Sequence, residues 1–266
     1  MLCDGVIFDL DGTLWDSCRS VAASWAETLA KNHGALYMPT EEDVRSIMGM
    51  TEAQIAETLF SAYGEQALAV CRDCIQRENA YIAAHGARLY PGVEELFRAL
   101  EGTCGLYIVS NCQQGYIECF LDYTGLGKYI RDYECSGNTG LSKAENIRLV
   151  AQRNGLLRPV YVGDTRMDQA SAAGAGLPFI HAAYGFGSAE KPDGVIYAPL
   201  ELLDQLRDNH VLYHCRHCHR RTGGRHWDHP PFRAGEHPFD GPAFQAYERP
   251  AHESGPGSHA GLRPAV

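Results

Sequence analysis

Residues 6–14 read V-I-F-D-L-D-G-T-L, and the reading of Val6 to Leu14 decides the fold. Val6, Ile7 and Phe8 form a short apolar run of the kind buried on both faces of a parallel sheet. Two carboxylates, Asp9 and Asp11, end that run, and Gly12 then breaks the strand and lets the backbone turn tightly into Thr13. Open α/β sheets place their ligands at the C-terminal ends of strands. Charge left in such a place is costly unless something pairs with it, and a metal ion with a phosphorylated ligand would supply the pairing. On spacing alone the same acids also fit a solvated turn, so the rest of the chain has to provide the partners.

Beyond this strand the periodicity becomes helical. Residues 17–33 carry Val21, Trp25 and Leu29 on one face, and Asn32-His33-Gly34 closes the segment. Thr40 opens T-E-E-D, a helix start, and Thr51 opens T-E-A-Q, a capping box that predicts a helix towards Tyr63. A third helix is predicted over 65–84. Residues 16–87 therefore read as an all-helical cap inserted into an α/β core made of residues 1–15 and 88–210.

In the second part of the core, Pro91-Gly92 opens a helix over 93–100. Short strands are predicted over 106–109, 129–135, 160–162, 178–180 and 195–196, with helices over 113–123, 143–154, after Asp164, and over 200–206. Strands alternating with helices imply a doubly wound parallel sheet, an α/β fold.

The 266 residues are 45% hydrophobic and 21% charged, as in soluble globular proteins. No apolar run is long enough to span a membrane, and Asp4 and Asp9 interrupt any export signal. The ten cysteines then read as reduced thiols and the expected location is cytoplasmic. Residues 1–210 carry 16 Lys+Arg against 28 Asp+Glu, an acidic balance that argues against nucleic acid as partner; no membrane partner is expected either. Residues 211–266 carry 7 against 5 and hold 8 of the 12 histidines, so the composition changes near His210. Rich in Gly, Pro and His and poor in aliphatics, that tail is expected to be disordered. Its Cys215-x-x-Cys218 with nearby His214, His217, His219, His226 and His229 offers zinc-ligand types, but the spacings miss the zinc-finger pattern. Nothing in the chain reports the oligomeric state.

Four signals fall at predicted strand ends or helix starts: Asp9-x-Asp11, Ser110-Asn111, Lys143 within the capping box S-K-A-E, and Asp164 with Asp168 in V-G-D-T-R-M-D. Each has a plain structural alternative: Ser110 as an N-cap, Lys143 as a surface lysine, Asp168 as a charge in a helix's first turn. In this order and placement, however, the four resemble the motifs of the haloacid dehalogenase superfamily over about residues 4–208. The resemblance implies Asp9 as a nucleophile that forms an aspartyl-phosphate, and Asp11 as the general acid and base. It implies Ser110, Asn111, Lys143, Gly12 and Thr13 as phosphate-binding groups. It also implies Mg²⁺ held by Asp9, the Asp11 carbonyl and Asp164. Asp168 stays open between direct ligand, hydrogen-bond acceptor outside the ligand set, and helix charge.

The pattern D-L-D-G-T-L-x-D-S, Y-P-G-V and V-G-D-x-x-x-D looks most like phosphoglycolate phosphatases and related small phosphomonoesterases. The expected substrate is a small phosphorylated metabolite. A β-phosphoglucomutase-like sugar phosphomutase would keep the same motifs. A non-catalytic binding protein on this fold would be expected to have lost one of Asp9, Asp11, Lys143 or Asp164, and all four are present. Substrate choice is assigned to the cap around Met48-Gly49-Met50-Thr51. The glycine-rich Tyr184-Gly185-Phe186-Gly187 reads as loop geometry rather than a phosphate site.

Overall fold

A computed structural model describes residues 3–207, which lie within one compact unit. In chain order the elements are β1 (Gly5–Phe8), β2 (Trp15–Asp16), α1 (Cys18–Asn32), α2 (Glu41–Ile47), α3 (Glu52–Leu59) and α4 (Ala67–His85). There follow β3 (Arg88–Leu89), α5 (Val93–Leu100), β4 (Gly105–Ser110), α6 (Tyr116–Thr124), β5 (Ile130–Cys135) and α7 (Ser136–Thr139). The chain then continues through α8 (Lys143–Arg153), β6 (Pro159–Gly163), α9 (Arg166–Ala175), β7 (Phe179–Ala182), β8 (Gly194–Ile196) and α10 (Leu202–Arg207). The tail over 211–266, with its cysteines and histidines, lies outside the described residues.

Six strands form one wholly parallel sheet in the order β5-β4-β1-β6-β7-β8. From central β1 the chain winds one way through β4 to β5, then the other way through β6 to β8. The order therefore reverses on both sides of β1, and the C-terminal ends of β4, β1 and β6 frame the crevice that such sheets use for ligands. Phe8 is level with Ile108 on one side and Val162 on the other, and the Asp9 N–H donates to the Val162 carbonyl at 2.8 Å.

The period of two along the strands sorts the core into two layers. Val6, Phe8, Leu106, Ile108, Val160 and Val162 pack in one cluster with apolar residues of α5, α6 and α10. Ile7, Tyr107, Val109 and Tyr161 pack in a second cluster with Ile147 and Val150 of α8 and Ala172 of α9. Both faces are covered, which is why the central strands β1, β4 and β6 are buried along their length and carry no charged residue, whereas edge strand β5 holds Arg131, Asp132 and Glu134. On α5, Val93, Leu96, Phe97 and Leu100 are all buried, each stabilising the fold by roughly 1.5–3 kcal/mol.

Between β2 and β3 lie α1 to α4, with α1 packed along α4. The two short strands pair antiparallel, Trp15 with Leu89 and Asp16 with Arg88, and so bracket the helical insertion. Asp16 accepts from Arg88 Nη2 at 2.8 Å and from Arg45 Nη2 of α2 at 3.3 Å. A strand two residues long has no periodicity to read, so this ribbon was invisible in the sequence pattern. Two helices also differ from expectation. α3 stops at Leu59 and passes into a 3₁₀ turn over Ser61–Gln66, kinked at Gly64, whose φ of +55° and ψ of −129° are not helical. α6 starts only at Tyr116, because Gly115 before it has φ +87° and cannot continue a right-handed helix. Among the described residues no helix is long and apolar enough to cross a membrane, and no cysteine is paired.

Candidate active site

Three adjacent strand ends supply the first members of the site: Asp9 follows β1, Ser110 ends β4, and Asp164 follows β6. Lys143 is the first residue of α8, whose start is set by the predicted capping box between Ser142 and Glu145. A cation there opposes the helix dipole, and this one is also buried. Two carboxylates offset both costs. Lys143 Nζ donates to Asp9 Oδ1 at 2.7 Å and to Asp168 Oδ1 at 2.6 Å. Those charges hold the lysine well above its ordinary pKa in spite of burial, and Lys143 holds Asp168 below the usual carboxylate range.

Asp168 is fully engaged. Its Oδ1 also accepts the Tyr161 hydroxyl at 3.4 Å, and its Oδ2 takes the Thr165 N–H at 3.0 Å and the Thr165 hydroxyl at 2.6 Å. The last two bonds belong to a capping box that starts α9. The two oxygens of Asp168 are thus occupied, one by Lys143 and Tyr161 and the other by the start of α9.

Asp164 is different. Its Oδ2 accepts the Phe186 N–H at 2.7 Å, while its Oδ1 is buried with no hydrogen-bond partner. Burial and the charges of Asp168 and Asp9 push Asp164 up to about 8. Burial first, then Asp168, pushes Asp9 up to about 7 against the pull of Lys143. Asp9, Asp164 and Asp168 each offer a carboxylate oxygen, all within 4.8 Å of one another. Three carboxylates against one ammonium leave two negative charges uncompensated. The donors are hard oxygens and one of them is orphaned, so the residues fit a divalent cation such as Mg²⁺.

Asp11 sits in another environment. Its Oδ1 accepts from Trp15 Nε1 at 2.9 Å, from the Ser17 hydroxyl, and from the Tyr116 hydroxyl at 3.0 Å. All three of these bonds fall on Oδ1, and none to Oδ2 is found among the described residues. Burial raises Asp11 above the usual carboxylate range, and the three donors oppose the rise.

A cavity of about 1040 Å³ opens onto this site, although Asp164, wholly buried, is not among the residues that line it. Asp9, Asp11, Ser110, Asn111, Lys143 and Asp168 line it from the sheet side. Met48, Gly49, Met50 and Thr51 of the helical insertion line the opposite side, as does Trp25. Asn111 ties the two sides together, donating to the Gly49 carbonyl at 3.4 Å while accepting from Ser136 Oγ at 3.0 Å. Gly12 and Thr13 are not on the cavity wall. Gly12, at φ +84°, stands so close to Asp164 that a Cβ would collide with its carboxylate. Thr13 is wholly buried, and its carbonyl accepts the Tyr184 hydroxyl at 2.8 Å.

Several contributors escaped the sequence reading. The Tyr184–Gly187 loop does serve loop geometry, but its Phe186 N–H holds Asp164, and a Cβ at Gly185 would strike Asp164 and the Gly12 carbonyl. The signal was a Gly-x-Gly spacing after a strand, too common to assign. Arg45 of the insertion lies over the Phe186 ring at 4.8 Å, a contact with no local signature. Tyr116, Tyr161 and the buried Glu78 reach the site only through tertiary packing.

Comparison with known proteins places the chain in a family. A phosphoglycolate phosphatase from Rhodobacter capsulatus is 28% identical over 191 residues, covering 68% of this chain and 84% of that protein. Another, from Shigella boydii, is 28% identical over 236 residues, covering 76% of this chain and 92% of that protein. Among solved structures, a haloacid dehalogenase-like family protein from Streptococcus pneumoniae has a TM-score of 0.65 at 24% identity, over 77% of this chain and 98% of that one. CbbY from Rhodobacter sphaeroides, solved in complex with xylulose-(1,5)bisphosphate, has a TM-score of 0.63 at 19% identity, over 76% and 96%. At such identities the structures speak for the fold alone. The family model for haloacid dehalogenase-like hydrolases matches residues 6–182, more than half of the sequence, and this chain is a member of that family.

Proposed function

We propose that the protein is a Mg²⁺-dependent phosphomonoesterase that acts on a small phosphorylated metabolite through an aspartyl-phosphate on Asp9. In this reading residues 1–15 and 88–210 are the α/β core and residues 16–87 are a cap over the site. The observation that carries the proposal is the contrast between two carboxylates two positions apart. Asp9 is held on Lys143 beside an orphaned Asp164 oxygen, whereas Asp11 has one oxygen engaged by three donors and, among the described residues, no bond to the other. Such divergent environments suit one nucleophile and one proton carrier.

Asp9, the Asp11 carbonyl and Asp164 would hold Mg²⁺. Bound there, the ion neutralises charge on the phosphoryl oxygens and keeps Asp9 ionised. Lys143 compensates the remaining negative charge on Asp9 and on the phosphoryl group, with Asp168 keeping its ammonium in place. The Ser110 hydroxyl donates to a phosphoryl oxygen. An Asp9 oxygen attacks phosphorus, the ester P–O bond breaks with its electron pair passing to the leaving oxygen, and Asp11 gives that oxygen its proton. The Asp11 carboxylate then takes a proton from water as the water oxygen attacks phosphorus. The bond from Asp9 to phosphorus breaks, inorganic phosphate leaves, and both carboxylates return to their starting states.

Hydrolysis of p-nitrophenyl phosphate with Mg²⁺ tests the proposal. Activity in the wild type is expected to fall by at least about 10³-fold in Asp9→Asn. Undiminished hydrolysis in that variant refutes it.

A further inference from the structure

Glu78 of α4 is a buried carboxylate on the cavity wall that the proposed chemistry does not use. Its Oε2 accepts from Trp25 Nε1 at 2.6 Å and its Oε1 from Gln113 Nε2 at 2.9 Å. Both donors are neutral, and among the described residues no Lys, Arg or His forms an ion pair with it. Gln113 Nε2 also donates to Asn79 Oδ1 at 2.8 Å, and Asn79 Nδ2 to the Gln114 carbonyl at 2.7 Å, so the carboxylate is held rigidly where α4 meets the loop after β4. A carboxylate can accept more than two hydrogen bonds, so Glu78 has acceptor capacity to spare. Burial pushes it up to about 7, the mark of an anion without a cationic partner.

The cations around the cavity sharpen this. Among the described residues, Lys143 and Arg72 are the only lysine or arginine side chains that line it. Lys143 is committed to Asp9 and Asp168, and Arg72 is paired at 3.1 Å with Glu52 on an exposed edge. The rest of the wall opposite the sheet is largely apolar, with Trp25, Met48, Met50, Ile55 and Ile75. A second anionic group on the substrate, a carboxylate or another phosphate, would meet Glu78 with no free buried cation to receive it. A hydrogen-bond donor would meet a preorganised acceptor.

Resting on the phosphomonoesterase reading, we propose that Glu78 is a specificity-determining residue. The alcohol part of the substrate presents a hydroxyl or ammonium donor to it, and a second anion is disfavoured. The cavity volume, at the upper end of the roughly 300–1,000 Å³ usual for small-molecule sites, leaves room for an alcohol larger than glycolate.

Three two-carbon esters that differ only at the far end test this with the full chain and Mg²⁺ at mildly alkaline pH: hydroxyethyl phosphate, phosphoethanolamine and phosphoglycolate. p-Nitrophenyl phosphate is run beside them. At least one donor-bearing ester is expected to have a kcat/KM about tenfold or more above that of phosphoglycolate. In Glu78→Gln that ratio is expected to fall about tenfold or more; because both substrates are measured on one preparation, the ratio does not depend on how much of the variant is folded. Phosphoglycolate equal to or better than both donor esters overturns the proposal while p-nitrophenyl phosphate hydrolysis keeps the phosphatase reading. A ratio unchanged in Glu78→Gln overturns the role of Glu78. No hydrolysis of any ester removes both the proposal and the reading beneath it.

Discussion

Replacing Asp168 by asparagine separates the charge partner of Lys143 from its shape. Asp168 Oδ1 faces an ammonium at 2.6 Å and Oδ2 faces the Thr165 N–H and hydroxyl. An asparagine has one oxygen and one N–H₂ group, so it either turns a donor onto Lys143 or loses the cap of α9. Removing one partner of a buried ion pair costs about 3–5 kcal/mol. Here Asp9 remains 2.7 Å from the ammonium, which points to the lower end, about 3 kcal/mol. For a domain of this size that corresponds to a Tm about 6–12 °C lower, read by differential scanning calorimetry. Phosphatase activity should fall about 10–100-fold, since Lys143 loses the group that positions it. Asp168 lies below the usual carboxylate range when folded. Its contribution is therefore complete above the unfolded value near pH 4 and is lost as pH falls through the folded value, so the Tm gap between wild type and variant should close in strong acid. A variant within about 2 °C of wild type at neutral pH refutes the argument that this pair is a net structural contributor.

Further outcomes follow from the other carboxylates. Asp9 and Asp164 are raised to about 7 and about 8 in the folded chain. Between the unfolded value near pH 4 and those values the folded state therefore holds protons that the unfolded chain releases, and stability falls as pH rises. Mg²⁺ relieves that repulsion, so the Tm increase on adding it should be larger at about pH 8 than at about pH 5 and absent in Asp164→Asn; a pH-independent increase contradicts this. Gly185→Ala forces a Cβ onto Asp164, and should lower stability by about 1–3 kcal/mol and weaken the Mg²⁺ response, both visible in thermal melts. Ser110→Ala should lower kcat/KM for p-nitrophenyl phosphate by about 10²–10³-fold; a loss below about threefold excludes its hydroxyl from transition-state binding.

What could be read in the sequence was what local chemistry encodes. Val6 to Phe8 is apolar because both faces of β1 are covered, and Asp9 follows it because β1 ends at the reversal of strand order. The capping boxes at Thr51 and Ser142 need only four consecutive residues, and both are present in the structure. The box at Thr165 is just as local, but the three roles open to Asp168 (ligand, hydrogen-bond acceptor and helix charge) do not single out Thr165 as its reciprocal partner. Contacts over long separations left no such trace. Glu78 meets Trp25 and Gln113 across 53 and 35 positions, and Tyr116 meets Asp11 across 105. Phe186 looked like part of a plain turn because its role belongs to its backbone N–H, which no side-chain pattern reveals. The groups at strand ends and helix starts were thus legible, and those brought in by tertiary packing, Glu78 and Tyr116 among them, were not.

The central claim is that phosphorus passes through Asp9. Wild-type protein acid-quenched during a single turnover with Mg²⁺ and examined by intact-mass and peptide mass spectrometry should carry one phosphoryl group on the peptide that contains Asp9, and Asp9→Asn should carry none. A single-turnover wild-type reaction that releases phosphate without any such adduct, alongside undiminished hydrolysis by Asp9→Asn, would contradict the account.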